Sequence, residues 1–146
     1  MSAARLAAQA LALLGPVDGP IAVVGAETAL RAAAVAAGVA VVPDGGAVSG
    51  ALVSFLGVAA VPGDRQACLS ALRLRLPAGA PVVLADHNQP RTWGRRLFGM
   101  VELALRGLAP TRARDPAARE LQALGFHVER LHLASGERVQ LVAARR

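Results

Sequence analysis

The amino-acid sequence predicts an α/β fold: a mostly parallel sheet with helices on both faces and an antiparallel hairpin at the C-terminal end. Three observations lead to this prediction. Short apolar runs alternate with helical segments, the runs are apolar throughout, and turn-forming residues separate the last two strands. Strands without apolar–polar alternation are typical of a parallel sheet that is covered on both faces.

The first half of the chain is predicted to supply two helices and three strands. Apolar residues recur at helical spacing near the N-terminus. Gly38 stands where a helix ends in a left-handed residue. The predicted elements are a helix over residues 2–14, a strand over 21–24, a helix over 28–37, a strand over 39–42 and a strand over 51–56.

The second half is predicted to continue the alternation and then to close with the hairpin. Asp115 and Pro116 are a typical N-cap and first residue of a helix. Trp93 is expected to pack against the core from the helix that it begins. The predicted elements are a helix over 63–76, a strand over 81–85, a helix over 93–108, a last helix from 115, and hairpin strands over 127–133 and 138–144.

Length and composition predict a single cytoplasmic domain. The 146 residues fit an N-terminal helix over residues 1–15 followed by a core over 21–146. Cys68 is the one cysteine, so no internal disulfide can form, as is usual in a reducing compartment. No apolar run approaches the ~20 residues that cross a bilayer, so no membrane span is predicted.

Positive charge is concentrated in the last third of the chain. Residues 91–146 contain eleven arginines and five acidic residues, whereas the charges of residues 1–90 cancel. The basic segment Arg91–Arg114 could face a protein partner, an anionic ligand or an acidic lipid surface. With three Phe, one Trp and no Tyr, the chain has few side chains to stack on bases, which disfavours nucleic acid. A solvated surface is the favoured interpretation of this segment.

Three segments in order resemble the class I S-adenosylmethionine-dependent methyltransferases. In residues 69–88 a helix ends in a Pro-Ala-Gly turn before a strand that closes with Asp86, and residues 117–133 carry a last helix, a Gly-Phe turn and a strand. VQLVAARR then supplies a final strand of reversed direction. The resemblance implies a Rossmann-like fold and S-adenosylmethionine as a possible cofactor, with no metal.

The resemblance also implies where the cofactor would lie. The family turn after the first strand reads acid-x-Gly-x-Gly-x-Gly, which falls here on Val23, Gly25, Glu27 and Ala29. A valine therefore replaces the acid that contacts the methionine amino group, and two of three glycines are replaced. The implied cofactor-binding residues are Gly25, Ala26, Glu27, Asp44, Ser54 and Phe55.

Ordinary structural roles remain open for several of these residues. Glu27 is also a favourable acid in the first turn of a helix. Asp44, at the position of the family's ribose-binding acid, is also a common turn residue beside Gly45 and Gly46. Phe55 is also a typical core residue.

A segment of the family pattern is missing after Asp44. In the family, a helix, a strand and another helix follow the second strand, but here only residues 45–49 separate Asp44 from Gly50. A parallel crossover normally takes a dozen or more residues. We therefore predict a fold that lacks one strand–helix unit, an incomplete adenine pocket, and a homodimer that covers the exposed edge.

Candidate catalytic residues follow the strand over 81–85. His87 is a candidate general base that Asp86 would orient, and the alternative is a loop formed by Asp-His-Asn. His127 and His132 are five positions apart and are expected on opposite faces of one strand, so no metal site is predicted.

Three functional hypotheses remain. The first is a methyltransferase-like protein with a degenerate S-adenosylmethionine site that acts as a non-catalytic binding or scaffolding protein. The second is an active small methyltransferase with an unidentified acceptor, and the third is a nicotinamide-linked α/β protein. The altered turn and the missing unit favour the first, and the order of the C-terminal segments disfavours the third.

Overall fold

The computed structural model describes residues 3–25, 28–42, 46–56, 62–105 and 116–146. Its helices and strands follow the predicted order closely. They are α1 (Ala3–Leu14), β1 (Ile21–Val24), α2 (Thr28–Ala36), β2 (Val41–Val42), β3 (Gly50–Ser54), α3 (Pro62–Arg75), β4 (Pro81–His87), α4 (Trp93–Leu105), α5 (Pro116–Ala123), β5 (His127–Ala134) and β6 (Val139–Arg145).

Within the described residues the strands form one six-stranded sheet in the order β2-β1-β3-β4-β6-β5. The first four of these pair in parallel, whereas β6 runs antiparallel between β4 and β5. The predicted α/β sheet with a C-terminal antiparallel hairpin is therefore confirmed. The carboxyl ends of β1, β3 and β4 lie at one edge of the sheet, which is where open α/β sheets bind ligands.

Helices cover both faces of the sheet, as predicted. On one face, α3 and α5 bury Leu69, Leu72 and Leu121 against the strands. On the other, α1 and α2 contribute Leu6 and Leu30. We call these the α3/α5 face and the α1/α2 face. Because the central strands are buried on both sides, their sequences are mainly apolar, and the polar residues Ser54, Asp86 and His87 stand at their carboxyl ends.

Two helices end in the same glycine-containing cap. After α2, Gly38 has a φ of 74°, and Val39 donates its N–H to the carbonyl of Ala34. After α5, Gly125 has a φ of 82°, and Phe126 donates to Leu121. Both are Schellman motifs, which use up the N–H of the residue after the glycine. The second predicted strand is consequently shorter than 39–42, since the N–H of Val39 belongs to the helix cap.

The shortness of β2 explains how the chain reaches β3 without a crossover helix. To start β3 in parallel with β2, the chain must cross β1, a distance of two strand spacings or about 10 Å. It must also return along the length of the two-residue strand β2, about 7 Å. Residues 43–49 extend to about 25 Å at most, which is sufficient. Val48 is buried in the α3/α5 core, and the carbonyl of Gly46 accepts two hydrogen bonds from Arg75. Residues 46–48 therefore pass on the α3/α5 face, and the fold lacks one strand–helix unit as predicted.

A bulge in β5 corrects the predicted orientation of its two histidines. The register of β5 against β6 shifts between Val128 and Arg130, so that His127 pairs with Arg145 and His132 with Leu141. These partners are four residues apart on β6, which places both histidines on the same face. The expectation of opposite faces was wrong because it assumed an unbroken strand. Four residues still separate the pair by about 13 Å, too far for a shared metal ion.

The helix α4 differs from the expected one in its packing. Trp93, expected to contact the core, is 79% exposed. The predicted end of this helix at residue 108 and the predicted N-cap Asp115 lie outside the described residues.

Candidate functional site

The turn after β1 approaches the end of β3 closely. Gly25 has a φ of 108°, and a Cβ built on it would lie 2.0 Å from the backbone oxygen of Ser54. This separation is far below any real contact, and the φ value is one that L-residues rarely adopt. The chain therefore requires glycine here for its own packing, independently of any ligand.

The residues at the end of β3 are buried and bonded within the protein. Ser54 is fully buried, and its Oγ accepts the backbone N–H of Leu56 at 3.3 Å. Phe55 is 6% exposed and lies in the α3/α5 core, while its N–H donates to the carbonyl of Ala85 at 3.0 Å. The two predicted cofactor-contacting side chains are thus part of the packed interior.

The strongest polar interaction at this edge of the sheet is made by Arg65 of α3. Its Nη2 donates to Oδ2 of Asp86 on β4 at 2.6 Å and to Oε2 of Glu120 on α5 at 2.7 Å. Its Nε donates to the second carboxylate oxygen of Glu120 at 3.4 Å. The guanidinium carbon also lies 4.2 Å from the centroid of the Phe55 ring, a cation–π contact. The side chain of Arg65 therefore links α3, on which it lies, to β4, to α5 and to the end of β3.

The charge of Arg65 lies between the two carboxylates of this cluster. Burial by itself lowers the pKa of Arg65, but the hydrogen bonds from its guanidinium to Glu120 and Asp86 outweigh that effect and raise its pKa above the ordinary value. The side chains of Arg65 and Asp86 are only 17% and 7% exposed. A pair so shielded from water is held by charge-assisted hydrogen bonds that solvent screens weakly.

Asp86 and His87 belong to β4 rather than to a loop after it. Their strand extends because Asp86 pairs with Gln140 and His87 with Val139 on β6. The Nε2 of Gln140 also donates to the carbonyl of His87 at 2.9 Å. The loop interpretation of these two residues was therefore wrong.

The side chains of Asp86 and His87 lie on opposite faces of the sheet, since successive strand residues alternate. Asp86 accepts the backbone N–H of His87 on Oδ1 at 2.7 Å, and its Oδ2 accepts Arg65. Both oxygens of the carboxylate are thus engaged within the protein. This alternation disfavours the acid–base pairing that the sequence suggested for Asp86 and His87.

Val23 occupies the position that the family's acid would take. Its side chain is 8% exposed and packs in the α1/α2 core with Ile21 of the same strand. A carboxylate at this position would be buried among aliphatic side chains, which is costly without a partner.

Three predicted cofactor-binding residues, Ala26, Glu27 and Asp44, lie outside the described residues. Of the remaining candidates, Phe55 and Asp86 meet through Arg65, and Gly25 and Ser54 meet through backbone contact. The binding of Asp86 and Glu120 by Arg65 was not predicted from the sequence. Glu120 is 55 positions from Arg65, and no pattern in the sequence links positions so far apart.

Neither a metal cluster nor a membrane-spanning helix is found in the described part of the chain. No group of three or more His, Cys, Asp or Glu side chains there is placed to hold an ion. Among the same residues, no helix combines the length and the apolar character that crossing a bilayer requires.

Comparison of the whole chain with solved structures identifies its fold. The glycopeptide N-methyltransferase MtfA, solved with S-adenosyl-L-methionine, superposes with a TM-score of 0.70 at 15% identity, over 99% of this chain and 94% of MtfA. The chain has a class I methyltransferase-like fold. The mitomycin 7-O-methyltransferase MmcR gives a TM-score of 0.65 at 18% identity, over 99% of this chain and 52% of MmcR. Human N-acetylserotonin methyltransferase, solved with the same cofactor as MtfA, gives 0.66 at 12% identity, over 98% of this chain and 51% of the enzyme.

These likenesses concern the fold. The chain spans about half the length of MmcR and of the human enzyme. No protein-family model matches the chain, and no curated protein matches it either. The methyltransferase-like fold therefore rests on the arrangement of strands and helices, and the resemblance that the sequence motifs indicated is confirmed at that level.

We expect the Arg65–Asp86 pair to be strongly coupled. Arg65→Met should lower the free energy of unfolding by about 3–5 kcal/mol because it leaves a buried carboxylate unpaired. A double-mutant cycle with Asp86→Asn, measured by urea denaturation, should give a coupling energy of about 2–3 kcal/mol. The exposed pair Arg145–Glu129, at 2.7 Å, is the matched control and should couple by less than about 1 kcal/mol. Equal coupling in the two pairs would contradict the role given to Arg65.

We expect Gly25→Ala to be far more destabilising than the same change at Gly38. Gly38 also has a positive φ, but nothing lies within 4 Å of a Cβ there, so its substitution should cost about 1–2 kcal/mol. Gly25→Ala adds the collision with Ser54 and should cost at least about 3 kcal/mol, measured by the same denaturation. A similar loss of unfolding free energy in both variants would show that β1 and β3 can move apart at Gly25 without cost.

Proposed function

We propose that this methyltransferase-like protein has a degenerate S-adenosylmethionine site and acts as a non-catalytic binding or scaffolding protein. The single observation that carries the proposal is the burial of Val23. The family's acid would bind the cofactor's methionine amino group from this position, and here an aliphatic side chain is packed into the α1/α2 core. The positive amino group of the cofactor would meet no carboxylate from β1.

The internal bonding of the neighbouring strand ends supports the same proposal. The hydroxyl of Ser54 accepts the N–H of Leu56, and the carboxylate of Asp86 accepts both Arg65 and a backbone N–H. A ligand would have to displace these bonds before it could use either side chain. Groups already paired in a buried setting gain little by exchanging partners.

The alternative is an active small methyltransferase with an unidentified acceptor, in which Gly25, Ala26, Glu27 and Asp44 hold the cofactor and His87 is the base. MtfA and human N-acetylserotonin methyltransferase were solved with S-adenosylmethionine, so the fold accommodates that cofactor in those proteins. This alternative requires the cofactor to be held without an acid on β1. It also requires an adenine pocket formed without the strand–helix unit that the family has after β2.

Isothermal titration calorimetry with S-adenosylmethionine and S-adenosylhomocysteine separates the two. We expect no saturable heat up to millimolar ligand, because an unpaired ammonium and an incomplete adenine pocket remove the main contacts. A thermal unfolding transition recorded on the same sample controls for folded protein, and an unchanged melting temperature at millimolar ligand should accompany the absence of heat. Micromolar binding of either ligand would overturn the degenerate site and favour the active enzyme.

We further propose that the protein is a cytoplasmic homodimer. Cys68 is the one cysteine of the chain and is half-buried, so no internal disulfide can form, which suits a reducing compartment. The strand β2 offers an edge that is bonded only to β1 among the described strands, and its two valines are half-buried. A partner copy at this edge would cover them.

We expect multi-angle light scattering to give about twice the mass of the 14.9 kDa chain at tens of micromolar. Because an interface along a strand edge relies on backbone hydrogen bonds and apolar contact, the mass should change little between low and moderate salt. A monomer mass at this concentration would contradict the dimer and leave the proposal on the cofactor untouched.

A further inference from the structure

The helix α4 exposes a continuous apolar stripe. Among the described residues eight large apolar side chains are exposed, and five of them lie on α4. At 100° per residue, these five fall within an arc of about 140° on one side of the helix. They are Trp93 (79% exposed), Leu97 (46%), Phe98 (78%), Val101 (51%) and Leu105 (84%). We call this set the α4 stripe.

The α4 stripe is large for an exposed surface. An aromatic side chain carries roughly 150–250 Å², so Trp93 and Phe98 together present on the order of 250–400 Å². The three aliphatic side chains add to this. The largest apolar patch on a typical monomer is about 300–600 Å² and often functional. The stripe alone therefore reaches that range.

The stripe faces away from the protein. No described side chain of α4 belongs to either core cluster of the sheet. The side of the helix turned inward carries Gly99, which is buried, and a Cβ there would lie 4.0 Å from Cδ of Arg138 in the β5–β6 turn. Among its described side chains, the helix is buried at the small residue Gly99 and exposes the five large residues of the stripe.

Two exposed arginines lie at the N-terminal end of the stripe. Arg91 and Arg96 are exposed next to Trp93, and residues 91–146 carry the entire net charge of +6. A helix with arginines at its border and Trp, Phe and Leu on one face has the composition of helices that lie in the interface of an anionic membrane.

We propose that α4 docks the protein on an anionic lipid surface, with the α4 stripe in contact with acyl chains and Arg91 and Arg96 at the headgroups. The complementarity of charge decides between this occupant and a second copy of the chain. A second copy would bring the same positive charge to the contact. Acidic headgroups instead attract the arginines, and the acyl chains bury the apolar side chains of the stripe. The stripe is also smaller than the roughly 800 Å² per partner of a standard protein interface. The proposal holds whether or not a cofactor binds.

The fluorescence of Trp93 can report contact between the α4 stripe and lipid. Trp93 is its one tryptophan and the chain has no tyrosine, so its intrinsic fluorescence reports the stripe alone. We expect vesicles with 30% phosphatidylserine to shift the emission of the full chain to the blue and to shield it from an aqueous quencher. Pure phosphatidylcholine vesicles should leave it unchanged, and salt at 0.5 M should weaken the effect, since each arginine contributes about fivefold to binding.

Sedimentation with the same vesicles tests the stripe with matched variants. Leu105→Ser, on the stripe at 84% exposure, should lower the partition coefficient at least fivefold, and Phe98→Ser about tenfold. Leu74→Ser is the control, because Leu74 is 79% exposed on α3 and lies outside the stripe. All three positions are exposed, so the variants should fold like the parent chain.

Three outcomes would overturn the proposal. The first is Trp93 emission that stays unchanged on anionic vesicles. The second is an equal loss of partition for Leu74→Ser and Leu105→Ser. The third is a blue shift that depends on protein concentration without vesicles, which would identify a second copy as the occupant. Any of these three results would leave the calorimetric test of the cofactor site unaffected.

Discussion

The half-buried charge of Arg65 is the constraint on which the carboxyl edge of the sheet depends. Its guanidinium needs acceptors where water is scarce, and Asp86 on β4 and Glu120 on α5 supply them. These contacts fix α3 and α5 relative to β4. The ring of Phe55, at the end of β3, also contacts the guanidinium of Arg65. The polar residues that a ligand would use at this edge are therefore committed to holding the fold together.

Sequence patterns predicted the elements whose causes are local. The apolar strand Ile21–Val24 and the helix cap at Gly38 each follow from a few consecutive residues, and both are found where predicted. The Arg65 cluster was not predictable, because its members are 21 and 55 positions apart and pair through the sheet order. The bulge in β5 was missed for the same reason, since its register is set by β6.

The exposed Trp93 shows a different limit of prediction. Helical periodicity predicted a helix over residues 93–108, and α4 is found over Trp93–Leu105, but periodicity does not say whether an apolar face meets the core or the outside. Here the sheet is already covered by α1 and α2 on one face and by α3 and α5 on the other. A further helix has no strand left to cover, and its apolar side chains remain exposed.

The altered turn after β1 and the preserved fold are compatible because the remaining glycine serves the protein itself. Gly25 is required by the approach of Ser54, and this demand persists without a cofactor. Under the proposal of a degenerate site, loss of the ligand would remove the reason for glycine at the family's other two positions and leave the reason for Gly25. A sheet of this kind can therefore keep its fold without its ligand.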